Sequence, residues 1–255
     1  MLLTYEQQYR RDIGFTNKTE CKKFFKGKSD DVYINWEHIS FLNSRLRDIF
    51  VRINNILDEN VRIIDIEEFL AQGIDRNYEI IRNENIIARF NNHGRPREEV
   101  YFSWMRGYLA CNIFKRYIAR IFNIDEYLLL DIGNDNLNNI AQFARTSTAD
   151  IQFENEEGII NLEIQSGFTG VNDIKKHKFE EAIRKFSEEQ IISYVIHFDV
   201  FNGKVSVINI SRANINNINF VPRSTMEGQL IMEIPDEYFR YRLNENPTND
   251  RIVVL

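Results

Sequence analysis

The sequence has few cysteines, no long apolar run and no excess of basic residues. Its 255 residues include only Cys21 and Cys111, whose spacing is typical neither of a metal site nor of a disulfide framework. No apolar run reaches the roughly 20 residues that a helix needs to cross a bilayer. We therefore expect no membrane partner. Because no secretory signal precedes the first segments, we also expect reduced thiols and a cytoplasmic location.

The chain is acidic, with 32 lysines and arginines against 38 aspartates and glutamates, a formal net charge of -6 and an isoelectric point of about 5.4. A domain that binds nucleic acid is usually basic, so the net charge argues against a general nucleic-acid binder. Local patches matter more than the sum, and DNA binding by part of the surface stays open. A hydrophobic content of 43% and a charged content of 27% are typical of globular proteins.

Two short segments of alternating polarity predict a β-hairpin. In residues 149–153 the odd positions are apolar, and in residues 160–165 the even positions are apolar. A period of two is typical of strands, and the polar segment 154–158 between them has the length of a hairpin turn. We therefore expect three polar side chains to share one face of the hairpin, those of Asp150, Glu163 and Gln165.

Two carboxylates on neighbouring strands would make a hard oxygen site. Mg2+ prefers such a site and keeps several of its waters there. Asp150, Glu163 and the main-chain carbonyl of Ile164 are therefore candidate metal ligands. A half-exposed antiparallel hairpin shows the same alternation without any metal, so the pattern alone leaves both interpretations open.

The segment after the hairpin predicts a helix. Asn172 or Asp173 is its candidate N-cap, and it runs to about Ser187. Its apolar stripe has i, i+3, i+4, i+7 spacing and consists of Phe179, Ala182, Ile183 and Phe186. Its first turns carry three lysines, Lys175, Lys176 and Lys178. Cations there oppose the helix dipole, which indicates another role for them, and the three lysines are candidate DNA contacts.

An apolar strand at 191–198 and a tight turn at Asn202-Gly203 into a strand at 204–208 complete this region. Asp150, the twelve residues after it, the tripeptide 163–165 and the helix and strand that follow together resemble the PD-(D/E)XK nuclease superfamily. The resemblance covers about residues 99–210. More narrowly, it is to type II restriction endonucleases in which the final Lys of the motif is Gln. The departures are Thr148-Ala149, where a Pro often precedes the Asp, and Gln165 itself.

The resemblance implies an α/β (α+β mixed) fold with a restriction-endonuclease-like core, a central mixed sheet flanked by helices. It implies a Mg2+-dependent type II restriction endonuclease, with Mn2+ able to substitute, that hydrolyses phosphodiester bonds of double-stranded DNA at a specific short sequence as a homodimer. The implied catalytic residues are Asp150, Glu163 and Gln165. An acid of the first core helix sometimes joins the metal site, with Glu99 the first candidate and Glu98 the second, and either acid would equally suit the positive end of that helix. A neutral Gln165 cannot supply the charge of a Lys. Either the metal lowers the pKa of the attacking water with less help, or Lys175, Lys176 or Lys178 of the following helix reaches the site. The alternatives are a repair or resolvase-like nuclease with the same core, and a non-catalytic DNA-binding protein that retains it.

The rest of the chain predicts two regions. Residues 1–95 are mainly helical, with helices at about 37–57, 65–72 and 78–90 that would contact DNA, act as a scaffold or form a dimer face. Residues 96–255 form the nuclease-like core with a C-terminal β/loop extension, and a helix from 96 to about 122 opens it. We also predict weak helicity at 137–144, a loop at 220–225 and a strand at 230–235. Four loop arginines are candidate DNA contacts or solvated side chains: Arg95, Arg97, Arg212 and Arg223.

Overall fold

The computed structural model describes residues 3–25, 33–90, 95–133, 137, 149–224 and 228–255. It divides the chain into two compact units, Met1–Asn35 and Trp36–Leu255. The boundary placed near residue 95 from sequence therefore lies inside the second unit. The weak helix expected at 137–144 falls almost wholly outside the described residues.

The first unit contains two short helices, α1 (Tyr5–Asp12) and α2 (Lys18–Phe25). A capping box begins α1, because the Thr4 hydroxyl accepts from the Gln7 N–H while the Gln7 side chain accepts from the Thr4 N–H. The rings of three phenylalanines at and before the end of α2 contact one another, Phe15, Phe24 and Phe25.

The described residues of the second unit form six α-helices: α3 (Trp36–Ile56), α4 (Ile66–Leu70), α5 (Asn77–Asn83), α6 (Arg97–Ile113), α7 (Lys115–Phe122) and α8 (Lys176–Glu189). A π-helical turn joins α4 to α5. The helix predicted at 37–57 is confirmed as α3. The single helix predicted from 96 to about 122 is wrong, because the chain leaves helical geometry at Phe114 (ψ 1°). The side chain of Phe114 is fully buried there, and its ring stacks on that of Phe198.

Over the part of the chain that the structure describes, ten strands form two sheets: β1 (Leu130–Asp131), β2 (Ile151–Asn155), β3 (Gly158–Gly167), β4 (Asp173–Lys175), β5 (Ile192–Asp199), β6 (Lys204–Asn209), β7 (Val221–Arg223), β8 (Gln229–Glu233), β9 (Tyr241–Arg242) and β10 (Val253–Val254). The central mixed sheet has the order β1-β2-β3-β5-β6-β10, with β9 also paired to β6, and the small antiparallel sheet has the order β4-β8-β7. The predicted hairpins β2–β3 and β5–β6 are confirmed. β3 and β5 are parallel, and the connection between them contains α8.

Helices cover both faces of the central sheet. On one face, Phe114 stacks on Phe198 with 3.9 Å between ring centroids, and Phe122 of α7 contacts Phe153 and Tyr194. α3 packs on the far side of α6, where the Tyr101 hydroxyl donates to the Asn43 side chain at 2.8 Å. The fold is therefore a mixed α/β architecture in which α6 is buried on two sides.

The opposite face packs against α8 and the small sheet. The shared core contains Ile174, Phe179, Ala182, Val195, Ile208 and Met232. Two predictions are wrong here. Asp173 is not a helix cap but a residue of β4, and the predicted loop at 220–225 contains β7. Both segments are strands because they pair with β8, a contact between distant parts of the chain.

Candidate active site

The Asp150 carboxylate lies where β2 and β3 diverge. Ile151 pairs with Leu162, yet the N–H of Asp150 also donates to the carbonyl of Leu162, so two residues of one strand face one residue of the other. Such a bulge re-aims a side chain. The carboxylate accepts the N–H of Ile164 at 2.7 Å and so takes the place of a strand partner at the fork.

Glu163 is held by a lysine of α8. Both of its carboxylate oxygens lie 2.8 Å from the Nζ of Lys178, and the two side chains are 21% and 17% exposed. Burial raises the pKa of Glu163, while the charges of Lys178 and Lys175 oppose the rise and the charge of Glu181 adds to it. The pair is therefore a partly desolvated ion pair, and each charge depends on the other.

Asp150 and Glu163 line different cavities. Asp150 and Ile164 line one against α6, together with Ser103 and Gly107 of that helix. Glu163 lines one against α8, together with Lys178. The bulge accounts for the separation, because regular alternation would have placed Asp150 directly across from Glu163. The two carboxylates approach the β2–β3 fork from different sides.

Gln165 lies beyond the fork and contacts a buried histidine. It is in register with His197 of β5, and its side-chain Oε1 is 3.2 Å from the imidazole Nδ1. The imidazole Nε2 is 2.7 Å from the Oδ1 of Asn172, whose Nδ2 donates to Asp199 at 2.9 Å. Sequence reasoning missed His197, because its importance depends on a strand register that the sequence does not reveal.

The predicted DNA-contacting side chains are scattered. Arg95 is exposed, whereas Arg97 donates to three main-chain carbonyls at residues 87, 88 and 90. Arg212 lies over the ring of Phe186, with 4.6 Å between guanidinium carbon and ring centroid.

Arg223 forms a structural clamp. It donates to both oxygens of Asp173 at 2.9 and 2.7 Å and to Glu233 at 2.7 Å. These hydrogen bonds raise its pKa further above the usual range. Because the Asp173 side chain is only 1% exposed, Arg223 is committed to holding β4 and β8 together.

The lysines of the α8 region have different neighbours. Lys176 lies 3.5 Å from Glu180 and 5.8 Å from the centroid of the Phe220 ring. Lys175 is the last residue of β4 and is half-buried. Among the residues that the structure describes, only Lys178 of these three lysines is in direct contact with Glu163.

Two residues of α6 bear on the site. Glu99 lies in the first turn, exposed, one turn before Ser103 on the same side of the helix. Arg106 was not predicted from the sequence. Its guanidinium carbon lies 4.2 Å from the centroid of the ring of Phe168, which is three residues after Gln165. Within the described parts of the chain its Nε has no hydrogen-bond partner, and burial lowers its pKa.

The donor set fits a hard divalent cation in its chemistry. Asp150 and Glu163 supply carboxylate oxygens, and Ile164 supplies a main-chain carbonyl, the types of ligand that Mg2+ takes. Both carboxylates are held by N–H donors, which a cation would have to replace. Over the described ranges, no three side chains of the His, Cys, Asp and Glu types come together as a ready metal cluster.

Comparison with models of known protein families gives no match, and comparison with curated proteins gives none either. In the described portion of the chain, no helix combines the length and apolar character needed to span a membrane. The case for a function therefore depends on the geometry at the β2–β3 fork.

Proposed function

We propose that the protein is a Mg2+-dependent type II restriction endonuclease with a restriction-endonuclease-like core, which hydrolyses phosphodiester bonds of double-stranded DNA at a specific short sequence. The observation that carries the proposal is the contact of Lys178 with both oxygens of Glu163. Lys178 supplies from α8 the positive charge that the motif of this superfamily otherwise takes from the position of Gln165.

The proposed roles are those that the resemblance implies, and they require the carboxylates of Asp150 and Glu163, which line different cavities, to converge on one ion. Asp150, Glu163 and the carbonyl of Ile164 would hold Mg2+, which when bound supplies positive charge for the scissile phosphate and lowers the pKa of a water nucleophile. Lys178 would leave Glu163 when the cation binds and would then stabilise negative charge on the phosphate. Gln165 would hold the attacking water through a hydrogen bond, because a neutral amide can donate and accept but cannot act as a base.

Contacts with DNA outside the site are also proposals. Arg106 is a charged side chain without an ion-pair partner among the described residues, and it lies beside the loop that follows Gln165. It is the candidate phosphate contact, and such contacts position DNA without reading its sequence. A symmetric recognition sequence would require a homodimer, since the symmetry of the protein mirrors that of the site.

The test is DNA cleavage by variants that keep the shape of each side chain. Asp150→Asn and Glu163→Gln are expected to abolish Mg2+-dependent cleavage of phage DNA while DNA binding survives. Lys178→Met is expected to lower the cleavage rate at least about 100-fold. Discrete fragments from the unmodified protein would favour restriction, whereas nicking that depends on DNA structure would favour a repair or resolvase-like nuclease.

Lys185→Met is the matched control. Lys185 is on the same helix, is 17% exposed like Lys178 and pairs with Glu181 at 3.1 Å. It should lose a similar ion pair and keep its activity. Equal losses in Lys178→Met and Lys185→Met, or full cleavage by both Asp150→Asn and Glu163→Gln, would refute the assignment.

The second candidate is a DNA-binding protein that retains the core without activity. The contact of Gln165 with His197 favours it, because this contact occupies part of the side chain at the lysine position of the motif. Calorimetry separates the two candidates. Mg2+ binding that is present in the unmodified protein and lost in Asp150→Asn supports the nuclease, and no binding in either supports the inactive protein.

A further inference from the structure

The imidazole of His197 lies between two side-chain amides. Its Nε2 is 2.7 Å from the Oδ1 of Asn172, and its Nδ1 is 3.2 Å from the Oε1 of Gln165. The residue is only 4% exposed, so water does not compete for these contacts. Both ring nitrogens face an amide oxygen, which is an acceptor. A neutral imidazole carries a single N–H and can donate to only one of them.

The orientation of Asn172 determines whether the Nε2 of His197 carries a proton. Its Nδ2 donates to the carboxylate of Asp199 at 2.9 Å, and that carboxylate also accepts from the N–H and the Nδ2 of Asn202. An amide whose nitrogen is committed to a carboxylate must present its oxygen on the other side. The Oδ1 of Asn172 is therefore an acceptor, and the Nε2 of His197 carries the proton.

The second ring nitrogen of His197, Nδ1, faces Gln165. If the imidazole is neutral, Nδ1 is a lone pair and needs a donor, which the amide NH2 of Gln165 provides after a half-turn that exchanges its oxygen and nitrogen in place. Burial disfavours the doubly protonated ring and lowers the pKa of His197 to about 4, although the charges of Asp199 and Asp173 oppose this. At neutral pH the ring is therefore an acceptor at Nδ1.

We propose that His197 is a positioning residue that fixes the side chain of Gln165 with its NH2 towards the imidazole and its carbonyl oxygen away from that ring. Gln165 then offers the site an acceptor rather than a donor. This inference rests on the proposed nuclease function. There the carbonyl oxygen of Gln165 would accept a hydrogen bond from the attacking water and orient the lone pair of that water towards the phosphate.

The packing around the ring keeps this arrangement in place. A Cβ on Gly167 would lie 2.8 Å from the Nε2 of His197 and 2.7 Å from the Oδ1 of Asn172, so only a residue without a side chain allows the close approach. The main chain of Asn172 is itself fixed, because its carbonyl accepts the N–H of Ile234 at 2.9 Å.

The first test needs no DNA. Nitrogen-15 NMR of the full chain at pH 7 reports which imidazole nitrogen carries a proton, and a His197→Gln variant identifies the signals of this ring among the four histidines. We expect a protonated Nε2 and an unprotonated Nδ1. A proton on Nδ1, in a neutral or a charged ring, would overturn the proposal.

The second test is a double-mutant cycle on single-turnover cleavage. His197→Phe keeps a ring but removes the acceptor, and we expect the rate at saturating DNA to fall about 10- to 100-fold with half-saturation unchanged. In a Gln165→Ala background the same change should alter the rate less than about twofold, because nothing remains to be positioned. Equal losses in both backgrounds would mean a merely structural role. A chain that cuts no DNA would refute the nuclease, while NMR would still decide the orientation of the amide.

Discussion

Acidification from pH 7 to pH 4.5 is expected to remove a contribution of His197 to the stability of the unit formed by residues 36–255. The imidazole is buried, and burial lowers its pKa from 6.5 to about 4. That fall corresponds to about 3 kcal/mol of preference for the neutral ring in the folded chain. The size of the effect follows from the same burial that keeps the ring neutral at pH 7.

The sign follows from proton binding. Above pH 6.5 the ring is neutral in both the folded and the unfolded chain, and the contribution of His197 is fully present. Between pH 6.5 and 4 the unfolded chain binds more protons than the folded chain, so the free energy of unfolding falls as the pH falls. By pH 4.5 about 2.5 kcal/mol of the contribution is lost.

The assay is urea unfolding followed by tryptophan fluorescence, since Trp36 and Trp104 both belong to this unit. The difference in free energy of unfolding between the unmodified chain and His197→Gln should shrink by about 2.5 kcal/mol between pH 7 and 4.5. His177 is exposed on α8, and a His177→Gln control should keep nearly the full pH dependence. A difference that does not change with pH would refute the neutral ring.

Two further predictions concern stability. Arg223→Ala is expected to lower the melting temperature much more than Arg212→Ala, because it leaves the buried carboxylate of Asp173 without its partner. Equal melting temperatures of the two variants in a thermal scan would show that the contacts of Arg223 do not stabilise the fold. Tyr117→Phe removes a hydroxyl that donates to the carbonyl of Arg242 at 2.9 Å and should cost about 1 to 2 kcal/mol in urea unfolding, whereas an unchanged midpoint would mean that water replaces the bond.

The sequence predicts those elements whose cause is local. The hairpin β2–β3 follows from a period of two on either side of a polar turn, and α3 follows from its helical apolar spacing. The strand β5 and its turn into β6 are of the same kind. In each case neighbours along the chain determine the structure, so the pattern is sufficient.

Elements whose cause is distant were not predictable. Asp173 has the residue type of a helix cap, but Arg223, fifty residues away, holds it in a strand. The chain stops being helical at Phe114 where its ring meets that of Phe198. Neither partner can be inferred from the segment itself, and tertiary contacts override local preference.

In the candidate site too, some residues could be predicted from the sequence and others could not. Asp150, Glu163 and Gln165 were identified from their spacing, and a helix lysine was expected to compensate for the missing one. The choice of Lys178 rather than Lys175 or Lys176 depends on which side of α8 faces β3, which the structure supplies. The bulge at Asp150 could not be anticipated, because the hydrogen bond from its N–H to the carbonyl of Leu162 has no signal in the sequence.

The packing of α3 on α6 has a consequence for how DNA would be cut. α3 is linked to α6 through Asn43 and Tyr101, and α6 in turn lies on the sheet that carries Glu163. These elements belong to one compact unit. If α3 or its neighbours contact bases in the proposed nuclease, the distance between those bases and the scissile bond would be a constant number of base pairs.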